Sequence, residues 1–192
     1  MLTCPSLLAQ AAGFSGQTII STAADRPTDV YAADLNGDGF PDVLSASFSD
    51  DKLAWYPNLG GGVFGAQQVI STSANQPRSV FAADLDGDGD KDVLSASHDD
   101  KIVWHENLGG GNFGPEQLIS NLVLDPYSVY ATDLDGDGDA DVLSSSISDS
   151  KIAWHENLGG GNFASQQVIS SNALNATDAY AADLDGDSDV LS

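Results

Sequence analysis

The sequence has few of the residues on which several common functions depend. It contains one cysteine, Cys4, so no disulfide can form within the chain, and any cross-linking must come from another source, with a metal ion as the first candidate. Lysine and arginine total only 6 against 29 aspartates and glutamates, for a formal net charge of -23. Nucleic acid and anionic membrane surfaces repel such a chain, so we predict that neither is a partner.

Long apolar runs are also missing. No run approaches the roughly 20 residues that span a membrane, so we expect no membrane insertion. The opening stretch "MLTCPSLLAQAAGF" is a poor signal peptide because no basic residue precedes Arg26, and we expect either that an export signal has been removed or that the chain is a fragment. Hydrophobic residues nevertheless make up 41% of the chain, which is enough to build a globular core and too many for a solvated acidic tail.

Catalytic signatures are scarce as well. The sequence has no G-x-S-x-G, no P-loop and no Cys/His pair, and its histidines are His98, His105 and His155. The "HEN" strings at 105 and 155 do not form the H-E-x-x-H of zinc proteases. We therefore predict that the protein is not an enzyme.

The dominant feature that is present is an internal repeat of roughly 50 residues. Asp-rich loops begin at Asp34, Asp84, Asp133 and Asp183. Tryptophans recur at the same step, and so do glycine triplets, each of which precedes a phenylalanine by two residues. We expect the tryptophans Trp55, Trp104 and Trp154 to form core between repeats rather than to stack on sugars. The triplets most simply make a tight turn.

Each repeat unit reads as four short strands. In the second unit the runs "SVFAADL", "DVLSAS", "KIVWHENL" and "EQLIS" are separated by Asp/Gly, Ser/Asp and Gly clusters, without apolar residues at helical spacing. Apolar or small residues occupy both faces of the first two strands, which is typical of strands covered on both sides. The fold class predicted is all-β, a β-propeller of four-stranded antiparallel blades with the small-residue first strand innermost.

The predicted domain organisation is a single repeat domain over residues 1–192 with about four blades. It comprises a partial blade at 1–24, blades at 25–74, 75–123 and 124–173, and a partial blade at 174–192. Residues 14–24 align with a fourth strand, residues 2–9 with a degenerate third strand, and the last residues with a first and a second strand. The two ends are complementary, so we expect them to join either within one chain or between chains by strand exchange.

The Asp-rich loops follow the pattern D-x-[DN]-x-D-G-x-x-D, which predicts a calcium site. Side-chain oxygens at positions one, three, five and nine, with the carbonyl of position seven, suit a hard cation that takes about 6 to 8 oxygen ligands. Zinc would require His or Cys, magnesium fewer protein ligands, and an EF-hand a glutamate at position twelve between helices. Without an ion the apposed carboxylates would repel one another. The predicted ligands are Asp34, Asn36, Asp38, Phe40 and Asp42 in the first loop; Asp84, Asp86, Asp88, Asp90 and Asp92 in the second; and Asp133, Asp135, Asp137, Asp139 and Asp141 in the third.

The fourth loop, "DLDGDSDVLS", departs from the pattern. It lacks two residues and carries Ser188 where the glycine stands in the other loops. Asp183, Asp185 and Asp187 remain candidate ligands, whereas Asp189 is expected to be misplaced. We therefore expect at least three calcium ions, with a weak or empty fourth site.

Taken together, the strings "AADLDGDGDKDVLSAS" and "WHENLGGGNFG" and the period resemble the FG-GAP/VCBS repeat of integrin α-subunit-like propellers over residues 14–192. The resemblance implies a calcium loop between the first and second strands of each blade. It also implies cations that rigidify blade edges, and ligands that meet the loops on the opposite face. By the same resemblance, the protein is expected to be extracellular or on the cell surface.

Two functions remain open from the sequence. The first is an extracellular adhesion or recognition module that binds a glycan or a protein through loops that vary between repeats, such as "SFSDDK", "SHDDK" and "SISDSK". The second is a structural unit that polymerises or closes through its terminal half-blades and binds no small ligand. We take the first as the predicted function and the second as its alternative.

Overall fold

The computed structural model describes residues 18–183 and 188–191, and this part of the chain is all-β without a helix. Three four-stranded sheets and one two-stranded sheet follow one another along the chain. The first blade has β1 (Pro27–Ala33), β2 (Asp42–Ser47), β3 (Lys52–Tyr56) and β4 (Gln68–Ser71); the second has β5 (Pro77–Ala83), β6 (Asp92–Ser97), β7 (Lys101–Asn107) and β8 (Phe113–Ser120); the third has β9 (Pro126–Thr132), β10 (Asp141–Ser146), β11 (Lys151–His155) and β12 (Gln167–Ser170). A strand pair, β13 (Tyr180–Asp183) and β14 (Ser188–Leu191), comes last.

Within each blade the strands pair antiparallel in chain order, which confirms the predicted fold class. The second strands are buried throughout in the second and third blades, as expected for strands covered on both faces.

The loops divide between two sides of the molecule. The Asp-rich loops and the glycine turns lie on one side, which we name the Asp-loop face. The loops after each second strand and each fourth strand lie on the other side, which we name the opposite face.

The first strands of successive blades lie side by side, in agreement with their predicted position at the inner edge. The rings of Tyr31, Phe81 and Tyr130 contact in series, with centroid separations of 4.4 and 4.9 Å. Thr28 Oγ1 donates a hydrogen bond of 2.7 Å to the carbonyl of Pro77, which lies on the next first strand. Aromatic contacts and hydrogen bonds therefore join the blades near the axis.

The core between blades contains the repeated tryptophans. Trp55 and Trp104 are 6% and 2% exposed and belong to two equivalent apolar clusters, one blade apart. Each indole lies against the third glycine of the following blade's triplet: a Cβ at Gly111 would lie 2.4 Å from Trp55 Cζ2, and one at Gly161 equally close to Trp104. The prediction of inter-blade core is confirmed for these two tryptophans, whereas Trp154 is half-buried.

The third glycine therefore has a packing role that its neighbour lacks, and this can be tested by mutation. We expect Gly110→Ala to cost about 1 to 2 kcal/mol, because its φ of 65° is disfavoured for alanine, while the nearest atom to a new Cβ is 3.7 Å away. Gly111→Ala has a similar backbone cost at φ 75° and in addition a clash with Trp55. We expect it to be less stable than Gly110→Ala by a further 1 to 3 kcal/mol or so, measured by urea denaturation. Equal stabilities would contradict the packing role.

The chain ends differ from the sequence prediction in part. Residues 18–24 form no strand, although the alignment predicts a fourth strand over 14–24. The reason is that a strand requires a paired neighbour, and no described strand pairs with this segment. The rest of that prediction, residues 2–9 and 14–17, lies outside the described residues. At the other end β13 and β14 pair as a first and a second strand should.

Among the described residues, no helix has the length and hydropathy needed to cross a bilayer.

Candidate metal centre

Each Asp-rich loop is organised by its own carboxylates. In the second loop, Asp84 Oδ1 accepts a hydrogen bond from Gly87 N at 2.7 Å, and Asp84 Oδ2 accepts one from Gly89 N at 3.0 Å. Both glycines have positive φ, 83° and 98°, which glycine adopts without steric cost. The first and third loops repeat these bonds. Position one therefore wraps the loop backbone around its carboxylate.

Positions three and five add further turns of the same kind. Asp86 Oδ1 accepts from Asp88 N at 3.1 Å, and Asp88 Oδ1 accepts from Asp90 N at 2.8 Å. A carboxylate has about four lone-pair sites on its two oxygens, so these bonds leave both side chains able to bind a cation. The turns hold alternate carboxylates on the inside of one loop.

The aspartate at position nine connects the loop to the blade. Asp42, Asp92 and Asp141 are all 0% exposed. Asp92 Oδ2 accepts from Leu85 N and Asp92 Oδ1 from Asn107 N, both at 2.8 Å. These bonds fix the start of the second strand to the loop and to the end of the third strand.

An asparagine that the sequence reasoning missed extends this connection to the preceding blade. The side chain of Asn107 is buried, and its Nδ2 donates to the carbonyls of Lys91, in its own Asp-rich loop, and Leu35, in the loop one blade earlier, at 3.0 and 2.8 Å. Asn157 donates in the same way to Leu85. The only sequence signal was the recurrence of Asn before each Leu-Gly-Gly-Gly.

The carboxylates converge in two of the three intact loops. One oxygen from each of Asp84, Asp86 and Asp88 lies within 4.8 Å of the others, and the same holds for Asp133, Asp135 and Asp141. The first loop forms no such group of three acids among the described residues, because its position three is the amide Asn36. The donor set of all three loops is oxygen, which suits a hard cation.

The second loop concentrates negative charge around a buried carboxylate. The pKa of Asp92 is raised to about 7, chiefly by burial; the charges of Asp86 and Asp88 act in the same direction, and its two backbone hydrogen bonds act against it. Burial also raises the pKa of Asp86, with the charges of Asp88, Glu106 and Asp84 acting in the same direction. A cation beside these groups would stabilise their charged forms. The cluster therefore has the composition and electrostatics of a metal-binding site.

The residues at position seven line the loop from the side of the glycine turn. An added Cβ on Gly60 would lie 3.7 Å from the Phe40 ring, and one on Gly159 would lie 3.3 Å from Asp139 Oδ2. Asp90 lies in the same relation to Gly109. These contacts concern side chains, so the role of the position-seven carbonyls as ligands stays a prediction.

The fourth loop corrects one expectation. Asp189 pairs with Ala182, which is the register that Asp92 has opposite Ala83, so the prediction that Asp189 is misplaced is wrong for the backbone. The two missing residues are taken from the loop, because the apolar Val190-Leu191 pair keeps the second strand in register. Asp183 ends β13, and Asp185 and Asp187 lie outside the described residues.

Two of the three histidines are buried in the blades. His105 and His155 are 3% and 0% exposed, and desolvation lowers the pKa of both, that of His155 to about 4. His155 Nε2 lies 3.2 Å from Ser144 Oγ on the neighbouring strand. These imidazoles are neutral at physiological pH and inaccessible to a substrate.

Comparison with known proteins agrees with the repeat and with the fold. A family model described as an FG-GAP-like repeat matches residues 9–45, 34–95, 84–144 and 133–190. Among solved structures, a lectin of Agrocybe aegerita that specifically recognises non-reducing terminal N-acetylglucosamine superposes with a TM-score of 0.63 at 23% identity, over 83% of this chain. The chain spans 44% of the length of that lectin. A search of curated protein sequences finds no significant match.

Proposed function

The chain belongs to the FG-GAP-like repeat family, and we propose that it is an extracellular, calcium-stabilised recognition module that binds a glycan. The observation that carries the glycan proposal is the structural similarity to a lectin that recognises a terminal sugar. Ligand recognition is assigned to the opposite face, where the loops differ between repeats. The Asp-loop face holds the cations.

Calcium is the ion that we propose for the three intact loops. The residues present fit it: carboxylate clusters, backbone-organised turns and a buried aspartate whose charge needs compensation. The ion would supply positive charge that neutralises these carboxylates and fixes the loops. Position one, with both oxygens bound to the loop backbone, orients the remaining ligands.

We propose further that the protein is not an enzyme. In the described residues, the three-acid clusters belong to the Asp-rich loops, and the buried histidines are poor proton donors or acceptors at neutral pH. The remaining carboxylates include Asp50, Asp99 and Asp149, each paired with a lysine. These carboxylates form ion pairs that belong to the repeated blade architecture.

The alternative, an assembly unit, is favoured by one observation. Val30 on β1 is 63% exposed, whereas the equivalent Val80 and Val129 are 2% and 4% exposed beneath a neighbouring blade. Among the described residues nothing covers this side of the first blade, and it resembles a blade interface without its partner. A second copy of the chain, or another blade, could cover it.

A glycan array in saturating calcium, with a parallel measurement of mass in solution, separates the two functions. We expect binding to a defined set of glycans. Excess chelator should abolish it, because the proposed calcium ions stabilise the blades and the blades position the recognition loops. A heat-denatured sample serves as the control for adsorption. Absence of glycan binding on the array, together with a large, calcium-dependent particle, would contradict the recognition function and support the assembly function.

A further inference from the structure

The basic side chains of this acidic protein are distributed unequally. Three of its four lysines, Lys52, Lys101 and Lys151, occupy the same repeat position and pair with an aspartate of their own blade at 2.6, 2.9 and 2.7 Å. They belong to the repeated architecture. The two arginines of the sequence, Arg26 and Arg78, are not repeated, and both line one pocket.

This pocket lies on the opposite face, at the beginnings of β1, β5 and β9. Its volume is about 280 Å³, close to the lower end of the range of about 300 to 1,000 Å³ for small-molecule sites, which suits one sugar residue. Thr28, Phe48 and Tyr127 line it together with the two arginines. The side chains thus combine guanidinium groups, aromatic rings and a hydroxyl, and none of the described lining residues carries a carboxylate.

The aromatic rings hold the guanidinium groups. The Arg26 guanidinium carbon is 4.3 Å from the centroid of the Phe48 ring, and that of Arg78 is 5.2 Å from the centroid of Tyr127. A guanidinium stacked on a ring keeps its N–H edge available for a planar anion, to which it can donate two parallel hydrogen bonds. The arrangement is therefore ready for a carboxylate or a sulfate.

The pocket also carries positive charge that the protein does not neutralise. Arg78 Nη2 lies 2.8 Å from Asp125 Oδ1, so that pair is close to neutral. For the Arg26 guanidinium, the part of the chain that the structure describes provides a ring contact and no ion pair. An anionic ligand would meet one uncompensated guanidinium and one pre-oriented by Asp125.

Comparison of the repeats with one another shows that this pocket is not part of the repeated architecture. The proline that lies between Arg26 and Thr28 in the sequence recurs in the first three repeats, as Pro27, Pro77 and Pro126. The pocket positions differ instead: Arg26 corresponds to Gln76, Asp125 and Asn175; Thr28 to Arg78, Tyr127 and Thr177; and Phe48 to His98 and Ile147. The positions that stabilise the blade are the same in successive repeats. The positions that face the pocket differ between repeats. The pocket residues thus belong to the loop positions of the opposite face that vary between repeats, which is where a ligand site is expected and where blade packing places no requirement.

We propose that the Arg26–Arg78 pocket binds the anionic group of an acidic sugar, a carboxylate or a sulfate, with the sugar ring against Tyr127. The inference rests on the proposed glycan recognition and names its ligand class. Both arginines donate to the anion, and Thr28 offers a further hydrogen bond. Because the rest of the surface is strongly acidic, binding is confined to this pocket and weakens as ionic strength rises.

The test uses the full chain in saturating calcium and glycans in matched pairs. Sialyllactose supplies a carboxylate, sulfated lactose a sulfate, and lactose is the neutral parent of both; chitotriose is a neutral glycan ending in N-acetylglucosamine. Affinities are measured by isothermal titration calorimetry. We expect at least one of the two acidic glycans to bind at least tenfold more tightly than lactose, with the comparison between them identifying the anion.

The variants are Arg26→Gln, Arg78→Gln and Arg26→Lys, with Lys52→Gln and Lys101→Gln as controls that remove a charge from the same face outside the pocket. We expect Arg26→Gln and Arg78→Gln each to weaken acidic-glycan binding about tenfold or more, and Arg26→Lys to recover only part of the loss. Arg26 makes no ion pair in the described structure, and its ring contact contributes about 0.5 to 1 kcal/mol, so its variants should lower the melting temperature by only about 1 to 4 °C and remain folded for the binding measurement.

Each outcome decides the inference. Binding of the acidic glycans that the arginine variants leave unchanged would overturn it, and so would binding of lactose or chitotriose alone. That second result would leave the proposed glycan recognition intact. If none of the four probes bound, and a wider array of acidic and neutral glycans were also silent, both the inference and the proposed function would be wrong.

Discussion

Excess chelator is expected to lower the melting temperature of this protein by roughly 15 to 30 °C. At free calcium a hundredfold above the dissociation constant, each site adds about 2.7 kcal/mol, so three independent sites add about 8 kcal/mol. Extracellular calcium modules have dissociation constants of about 10⁻⁴ to 10⁻³ M, so this hundredfold excess corresponds to about 10 to 100 mM calcium. For a domain of this size 1 kcal/mol corresponds to about 2 to 4 °C.

Differential scanning calorimetry with and without chelator measures this effect. Magnesium added back in place of calcium should restore little stability, because it demands fewer protein ligands and a stricter geometry. Asp88→Ala should lower the melting temperature in calcium more than Asp187→Ala does, since the fourth loop lacks two residues. An unchanged melting curve in chelator would show that the Asp-rich loops do not bind a stabilising ion.

Asp92→Ala is expected to destabilise the protein by about 3 to 6 kcal/mol, even in chelator. The Asp92 side chain is fully buried and accepts one hydrogen bond from Leu85 N and one from Asn107 N. Alanine leaves both buried backbone donors unsatisfied, which costs about 1 to 3 kcal/mol for each donor, and the cavity left by the side chain adds to the loss. The variant therefore removes the connection between the loop, the second strand and the end of the third.

Asp88→Ala is the matched control for this prediction. Asp88 is exposed, and its one loop hydrogen bond, from Asp90 N, is weaker support than the two of Asp92. We expect its effect to be large in calcium and small in chelator, whereas that of Asp92→Ala persists in both. Urea denaturation of the two variants under both conditions provides the comparison. If chelator also abolished the effect of Asp92→Ala, position nine would be a metal ligand without a separate structural role.

The features that could be predicted from the sequence are those set by short-range chemistry. The D-x-[DN]-x-D-G-x-x-D loops can be recognised in the sequence itself. Their turns are formed by hydrogen bonds to alternate carboxylates and by glycines with positive φ, all within a few residues of one another. The strands follow from short apolar runs between turn residues, and the repeat then implies equivalent blades. For this reason the all-β propeller class agrees with the structure. Carboxylates of the second and third loops converge there, and their role as metal ligands stays a prediction.

Tertiary structure decided the contacts that join one blade to the next. The contact of Trp55 with Gly111, the hydrogen bond from Asn107 to Leu35, and the meeting of Arg26 with Arg78 each link residues about one repeat or more apart. The register of Asp189 opposite Ala182 likewise depended on which side of the turn lost its residues. Spacing along the chain does not encode these contacts, because they depend on the angle and distance at which whole blades pack against each other.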